Sequence, residues 1–217
     1  LHSFPTRRSS DLWSYGGSIE PVPGFLELLR KLCTEHGVVL IFDEMITGMR
    51  LGVGGAQARY GVIPDLATFG KAIAGGGIPV SAVTGRREIM SLLENKKVVH
   101  AGTYNGYPLG SAAVHATFEI LSRNNGAALR DMYERTEVLH QILTDSAETV
   151  GLPLIVQGPA GLASFHCVPK PLQNPAEYDF EVMAKDIIVA TALQRHGVLV
   201  SSISAPKIGR ASCRERV

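Results

Sequence analysis

Residues 38–42 are five consecutive apolar residues, Val-Val-Leu-Ile-Phe, and Asp43 and Glu44 follow them directly. An apolar run without alternation predicts a parallel strand that is buried on both faces. In α/β proteins, ligands bind just beyond the carboxyl ends of such strands. The two acidic residues therefore stand where a site would form, and the sequence predicts an α/β protein organised around this strand.

A second short strand is predicted at residues 65–69, and it leads to Gly70, Lys71 and the glycine run at residues 75–77. Asp43 and Lys71 are 28 positions apart, which is enough chain for a crossover between two adjacent parallel strands. An acid and a lysine at neighbouring strand ends suit a pyridoxal phosphate enzyme. In such enzymes a lysine holds the cofactor as a Schiff base and an acid holds the pyridine nitrogen.

The same residues also have simpler explanations. An Asp-Glu pair can cap a helix or lie in a solvated loop, and the glycine run can be only a flexible turn. The glycines do not form a P-loop, because Lys71 precedes them and the G-x-x-x-x-G-K-[ST] pattern is absent. A nucleotide-binding α/β protein therefore lacks its fingerprint. Taken alone, the residues support an α/β site with a candidate lysine.

Four blocks of sequence, in this order and spacing, resemble class III aminotransferases, which are pyridoxal phosphate enzymes of fold type I. The blocks are FDEMITGMR, GGAQARYGVIPDLATFGKAIAGGGIPVSAV, GRREIM and AGTYNGYPLGSAA. Within the family, the resemblance is closest to the glutamate-1-semialdehyde aminomutase-like branch. It implies an α/β fold that comprises part of the large, mainly parallel sheet domain and part of the smaller C-terminal α+β domain.

The resemblance also implies roles for individual residues. Lys71 is the catalytic residue and forms the Schiff base, Asp43 pairs with the pyridine nitrogen, and Met45 lies against the cofactor ring. Thr103 contacts the phosphate of the cofactor bound in the partner subunit of a homodimer. Arg50, in the glycine-rich loop after the first strand, is a candidate for binding a substrate carboxylate, although an arginine in a loop is more often solvated.

The implied reaction transfers an amino group between an amino acid or amine and a keto acid or aldehyde. The aminomutase branch usually has Ser-Gly-Asn-Pro where residues 105–108 read Asn-Gly-Tyr-Pro. This difference favours an ordinary aminotransferase over glutamate-1-semialdehyde 2,1-aminomutase, the tetrapyrrole-synthesis enzyme. The chain is also less than half of a family member, so a third hypothesis is a truncated, non-catalytic fragment that at most binds a partner chain.

Both ends of the chain have an unusual relation to each other. One short DNA can encode residues 3–12 on one strand and residues 208–216 on the complementary strand, as translated sequencing adapter would. We therefore expect residues 1–12 and 208–217 to be adapter-derived tails, and leave them out of the fold prediction. The formal net charge of +1 includes +1 from the first tail and +2 from the last, so the interior carries −2. No basic patch remains that would indicate nucleic acid.

Composition and periodicity complete the prediction. The chain has 217 residues, of which 45% are hydrophobic, but no run approaches the roughly 18 apolar residues of a membrane span. Of the three cysteines, Cys33 and Cys167 are isolated in apolar contexts and Cys213 lies in the last tail, which favours a cytoplasmic protein without disulfides or a metal site. We expect residues 13–125 to be part of the cofactor-binding domain, 126–150 a linking helix and 151–207 an incomplete C-terminal domain. Within the last, strands are predicted at 152–156, 162–168 and 198–201, and a helix at 180–195.

Two further helices are predicted from periodicity. One follows Gly24, and Gly37 ends it; the apolar residues that recur at helical spacing in it are Phe25, Leu28, Leu29, Leu32 and Cys33. The other is a helix of small apolar residues at 109–121, which Asn124-Asn125-Gly126 separates from the linking helix.

Overall fold

The chain is described by a computed structural model that covers residues 6–9 and 17–198. It divides into two compact units: of the described residues, the first unit comprises 6–9 and 21–129, and the second comprises 17–20 and 130–198. The segment 17–20 thus lies in the second unit, whereas the sequence grouped it with residues 13–125. The boundaries of the complete domains stay a prediction.

A four-stranded sheet with the order β1-β2-β3-β4 forms the centre of the first unit. Its strands are β1 (Thr6–Ser9), β2 (Val39–Asp43), β3 (Leu66–Phe69) and β4 (Ala82–Gly85). The first three run parallel, and β4 is antiparallel to β3. The predicted crossover between β2 and β3 is therefore confirmed.

Strand β1 was not anticipated, because residues 1–12 were left out of the fold prediction. It pairs with β2 in parallel register, with Thr6 opposite Val39. Such a ladder uses only backbone N–H and carbonyl groups, which every residue other than proline supplies. The pairing therefore carries no information on the origin of these residues, and the adapter origin stays a prediction.

Helix α1 (Phe25–Glu35) packs its buried side against β2. The helix was predicted, and it ends before Gly37, whose φ of 61° lies in the left-handed region that favours glycine. Leu26 and Cys33 are buried against Leu40 and Phe42 of β2. The predicted apolar face was partly wrong, because three of its members are exposed: Phe25, Leu28 and Leu32.

Three short helical segments of the first unit follow its strands. They are α2 (Gly55–Tyr60), a 3₁₀ turn (Lys71–Ala74) and α3 (Arg87–Glu94). Helix α4 (Pro108–Thr149) is broken at Arg123–Gly126, where Asn124, Asn125 and Gly126 have positive φ. The sequence predicted two helices separated by Asn-Asn-Gly at this place, and the structure confirms that prediction.

The Asp65 carboxyl group connects several elements at the end of the sheet opposite the candidate site. Asp65 is 5% exposed, and its carboxyl group accepts hydrogen bonds from the Leu40 N–H (2.8 Å), Arg30 Nη1 (2.8 Å) and Arg86 Nη1 (3.1 Å). Burial by itself would raise the pKa of Asp65, but the Leu40 N–H and the two guanidinium groups outweigh burial and lower it. Asp65, the residue directly before β3, thus connects helix α1, strand β2 and the start of α3.

The second unit contains an antiparallel pair, β5 (Ile155–Gln157) and β6 (Ser164–His166), and helix α5 (Phe180–Arg195). A 3₁₀ turn (Pro175–Glu177) precedes α5. The two strands and the helix were predicted and are confirmed. The predicted strand at residues 198–201 lies outside the described residues, except for Val198, which is in no strand.

A buried polar network joins the elements of this second unit. His166 Nδ1 lies 2.8 Å from Asp186 Oδ2 on α5, and the Cys167 N–H donates to Asp186 Oδ1 at 2.7 Å. Burial, together with the charge of Asp186, raises the pKa of the Cys167 thiol to about 12. Ser164 Oγ donates to Ser18 Oγ at 2.6 Å, which places Ser18 against β6. This network explains why the segment before residue 21 belongs to the second unit.

Within residues 17–198, no helix combines the length and the hydrophobicity needed to cross a lipid bilayer. The same part of the chain has no group of three or more His, Cys, Asp or Glu side chains arranged to hold a metal ion. Cys33 and Cys167 are both buried, and neither is in a disulfide.

Candidate cofactor site at the carboxyl ends of β2 and β3

The two residues that the sequence singled out lie at the same edge of the sheet. In the parallel pairing of β2 with β3, Asp43 is the register partner of Thr68. Lys71 follows three residues later, as the first residue of the 3₁₀ turn after β3. Because parallel strands carry their carboxyl ends to one edge, the Asp43 carboxyl group and the Lys71 segment lie on neighbouring strand ends.

The Asp43 carboxyl group is held by two donors from different segments. Thr68 Oγ1 donates to Asp43 Oδ1 at 3.2 Å, and the Met45 N–H donates to the same oxygen at 3.3 Å. Asp43 is half-buried at this position. Sequence reasoning missed Thr68, because its bond to Asp43 follows from the register of two strands that are distant in sequence.

Lys71 has an unusual backbone conformation. Its φ is +49°, in the left-handed region that a residue with a Cβ rarely adopts. Such a conformation costs on the order of 1–3 kcal/mol and persists where the surrounding structure holds it, often at functional sites. Lys71 and residues 76–81 line an open cleft of about 560 Å³. The strained segment therefore presents the lysine at the wall of a cavity that has room for a ligand.

Met45 packs against the residue that precedes the lysine. A Cβ atom built on Gly70 would overlap Met45 Cε and would lie 2.9 Å from Met45 Sδ. Only glycine at position 70 therefore leaves the methionine where it is. The contact of Met45 with a cofactor ring stays a prediction.

Glu44, although adjacent to Asp43, is a structural residue. Its side chain is fully buried, and Oε2 accepts hydrogen bonds from the Ala56 N–H (2.7 Å) and Thr47 Oγ1 (3.3 Å). Oε1 accepts from the Gln57 N–H (3.3 Å) and from Gln57 Nε2 (2.9 Å). A Cβ on Gly55 would overlap this carboxyl group. Glu44 thus fastens the loop after β2 to the start of α2.

Arg50 and Thr103 lie on the surface of the first unit. Arg50 is the last residue of the turn after β2, and its N–H donates to the Thr47 carbonyl at 3.1 Å. Thr103 is exposed in a turn, and α4 begins five residues later at Pro108. Their predicted contacts, with a substrate carboxylate and with a phosphate in a partner subunit, stay predictions.

The family model of the class III aminotransferases matches residues 12–210. The chain belongs to this family. It is similar to an omega-transaminase from Sphaerobacter thermophilus, with 30% identity and a TM-score of 0.79 over 89% of this chain and 44% of that one. A transaminase from the marine bacterium Virgibacillus is 25% identical, with a TM-score of 0.70 over 90% of this chain and 44% of that one.

A third structure shows likeness of fold alone: a glutamate-1-semialdehyde aminomutase from Pseudomonas aeruginosa PAO1, 23% identical, with a TM-score of 0.74 over 94% of this chain and 47% of that one. This class III aminotransferase chain thus has part of the pyridoxal phosphate-dependent transaminase fold, and it spans less than half the length of these solved relatives. The predicted family and fold class are confirmed. The family implies a pyridoxal-type cofactor, and a related aminomutase structure holds pyridoxamine phosphate.

Proposed function

We propose that the complete protein is a pyridoxal phosphate-dependent aminotransferase that moves an amino group between an amino acid or amine and a keto acid or aldehyde. One observation carries the proposal: Asp43 is the last residue of β2, Lys71 follows the adjacent parallel strand β3, and Lys71 lines an open cleft at that edge. When bound, the cofactor supplies an electron-withdrawing ring that stabilises negative charge at the carbon next to the substrate amine.

Lys71 and Asp43 suit two different groups of the cofactor, its aldehyde and its pyridine nitrogen. Lys71 would hold the cofactor through its primary amine, which condenses with the aldehyde group and releases water, and the neutral amine would move a proton at the substrate carbon. The Asp43 carboxylate would keep a proton on the pyridine nitrogen. Gly76 and Gly77 form part of the cleft wall without side chains, which leaves room for a flat ring.

We extend the proposal to a homodimer in which Thr103 contacts the phosphate bound in the partner subunit. Support comes from the surface around Thr103, where Val99 is 88% exposed and Tyr104 is 79% exposed on the same loop. Large exposed apolar side chains close together favour a surface that another chain covers. Arg50 is proposed to bind the substrate carboxylate, and the sequence of residues 105–108 favours transfer between two molecules over the mutase reaction.

Cofactor binding tests the proposal directly. The chain and the longer reading frame that contains it are mixed with pyridoxal phosphate, excess cofactor is removed, and the absorption spectrum is recorded. We expect a retained visible band in the longer protein, with amino transfer from an amino acid to a keto acid. If neither protein retains a band, the proposed function is wrong. If the longer protein alone retains it, the chain is a non-catalytic fragment of the enzyme.

The contact between Gly70 and Met45 gives a second test. In Gly70→Ala, the new Cβ displaces the end of the Met45 side chain from its present position. Only the flexible end of one side chain has to move, so we expect a small rise in the dissociation constant of pyridoxal phosphate, of about tenfold at most. A fluorescence titration of the apoprotein with cofactor measures it.

The double variant Gly70→Ala/Met45→Ala is the control for that experiment. Shortening Met45 removes the atoms that the new Cβ would overlap. The reference for the double variant is Met45→Ala alone, because Met45 is itself predicted to lie against the cofactor ring. We expect Gly70→Ala/Met45→Ala and Met45→Ala to bind the cofactor equally well. Weaker binding by the double variant would show that the backbone of Gly70, and not the Met45 contact, determines the effect.

A further inference from the structure

We propose that Thr68 is a positioning residue, whose hydroxyl group holds the Asp43 carboxyl group in the orientation in which Asp43 meets the pyridine nitrogen. This inference rests on the proposed function and assigns a role to a residue that sequence reasoning did not identify. Thr68 acts through Asp43, and no direct contact with substrate is part of the proposal.

The geometry that carries the inference is the convergence of two donors on one oxygen. Asp43 and Thr68 are register partners on β2 and β3, so their side chains extend from the same face of the sheet. Thr68 Oγ1 and the Met45 N–H both donate to Asp43 Oδ1, at 3.2 Å and 3.3 Å. The carboxyl group cannot rotate about its Cβ–Cγ bond without breaking both bonds.

Threonine is suited to this position for two reasons. A β-branched side chain is favoured in strands, and its χ1 angle is restricted, so the hydroxyl group keeps a fixed direction. The hydroxyl also supplies the single proton that the Asp43 oxygen accepts from β3. Valine at position 68 would have nearly the same shape without the donor, and serine would keep the donor with a less restricted χ1.

The bond from Thr68 affects how the Asp43 carboxylate is aligned with the ring nitrogen of the cofactor. The bond between the Asp43 carboxylate and the ring nitrogen is strong only when the oxygen, the proton and the nitrogen are nearly in line. Without Thr68, a donor to Oδ1 is lost and the carboxyl group gains rotational freedom. We expect the bound cofactor to be held less tightly and its ring nitrogen to be protonated less completely.

The experiment compares wild type, Thr68→Val and Thr68→Ser in the protein loaded with pyridoxal phosphate. In Thr68→Val, loss of one hydrogen bond is expected to raise the cofactor dissociation constant by about 2–12-fold. The pH midpoint of the visible absorption band is expected to shift in the same variant. Thr68→Ser is expected to restore both quantities to near the wild-type values, because it restores the donor.

A structural role alone would give a different pattern. Thr68→Val with the wild-type midpoint and dissociation constant would overturn the inference, as would Thr68→Ser being as impaired as Thr68→Val. If the valine variant does not fold, Thr68→Ser against Thr68→Ala decides by the same two quantities. A wild-type protein without a Lys71-dependent band would instead contradict the proposed function, so the two failures are distinguishable.

Discussion

Lys71→Ala in the complete protein is expected to abolish amino transfer and to remove the visible band of the bound cofactor. Under the proposed function, the variant loses both the amine that would hold the cofactor and the group that would move the proton at the substrate carbon. A positioned acid-base group typically contributes about 10²–10⁴-fold to the rate, so kcat is expected to fall by at least that factor. Steady-state kinetics and an absorption spectrum on the same sample measure both effects.

A second lysine serves as the control for this experiment. Lys31 lies on α1 in the same unit, its side chain is 68% exposed, and its ion-pair partner is Glu35 at 3.8 Å. Lys31→Ala is expected to keep the band and the rate, because an exposed pair of this kind contributes little. A Lys71→Ala protein that retains a lysine-type band would show that another residue holds the cofactor.

The parts of the fold that could be predicted are those with a local signal. An uninterrupted apolar run marked β2, and glycine at position 37 marked the end of α1, because both follow from the preferences of single segments. The position of Asp43 and Lys71 at one edge followed from the rule that parallel strands are joined by crossovers. The break in α4 could also be predicted from the sequence, because Asn and Gly accept the left-handed backbone found there.

The parts that could not be predicted depend on contacts between distant segments. The bond from Thr68 to Asp43 requires the register of β2 against β3, and the sequence does not specify that register residue by residue. The adjacent acids Asp43 and Glu44 look alike in sequence, yet one lies at the site and the other is buried against α2. The left-handed backbone of Lys71 has no local signal, because lysine does not favour it.

Asp43→Asn is expected to leave the shape of the site intact and to remove most of the activity. Asparagine has the size of aspartate, and its carbonyl oxygen can still accept the bonds from Thr68 and the Met45 N–H. It lacks the negative charge that keeps a proton on the pyridine nitrogen, so the ring stabilises negative charge less well. Loss of one electrostatic contact of this type typically costs about 10²–10³-fold in kcat, and we expect a decrease of that size.

Glu44→Gln is the matched control, because it makes the same carboxyl-to-amide change one residue further along the chain. The four hydrogen bonds to Glu44 all come from the loop after β2 and the start of α2, so the change weakens that connection. We expect the free energy of unfolding in urea to fall by about 1–3 kcal/mol, with kcat close to wild type. Equal losses of kcat in Asp43→Asn and Glu44→Gln would contradict the separate roles of the two carboxyl groups. A loss of kcat confined to Asp43→Asn is the expected result, because only Asp43 lies at the edge shared with Lys71.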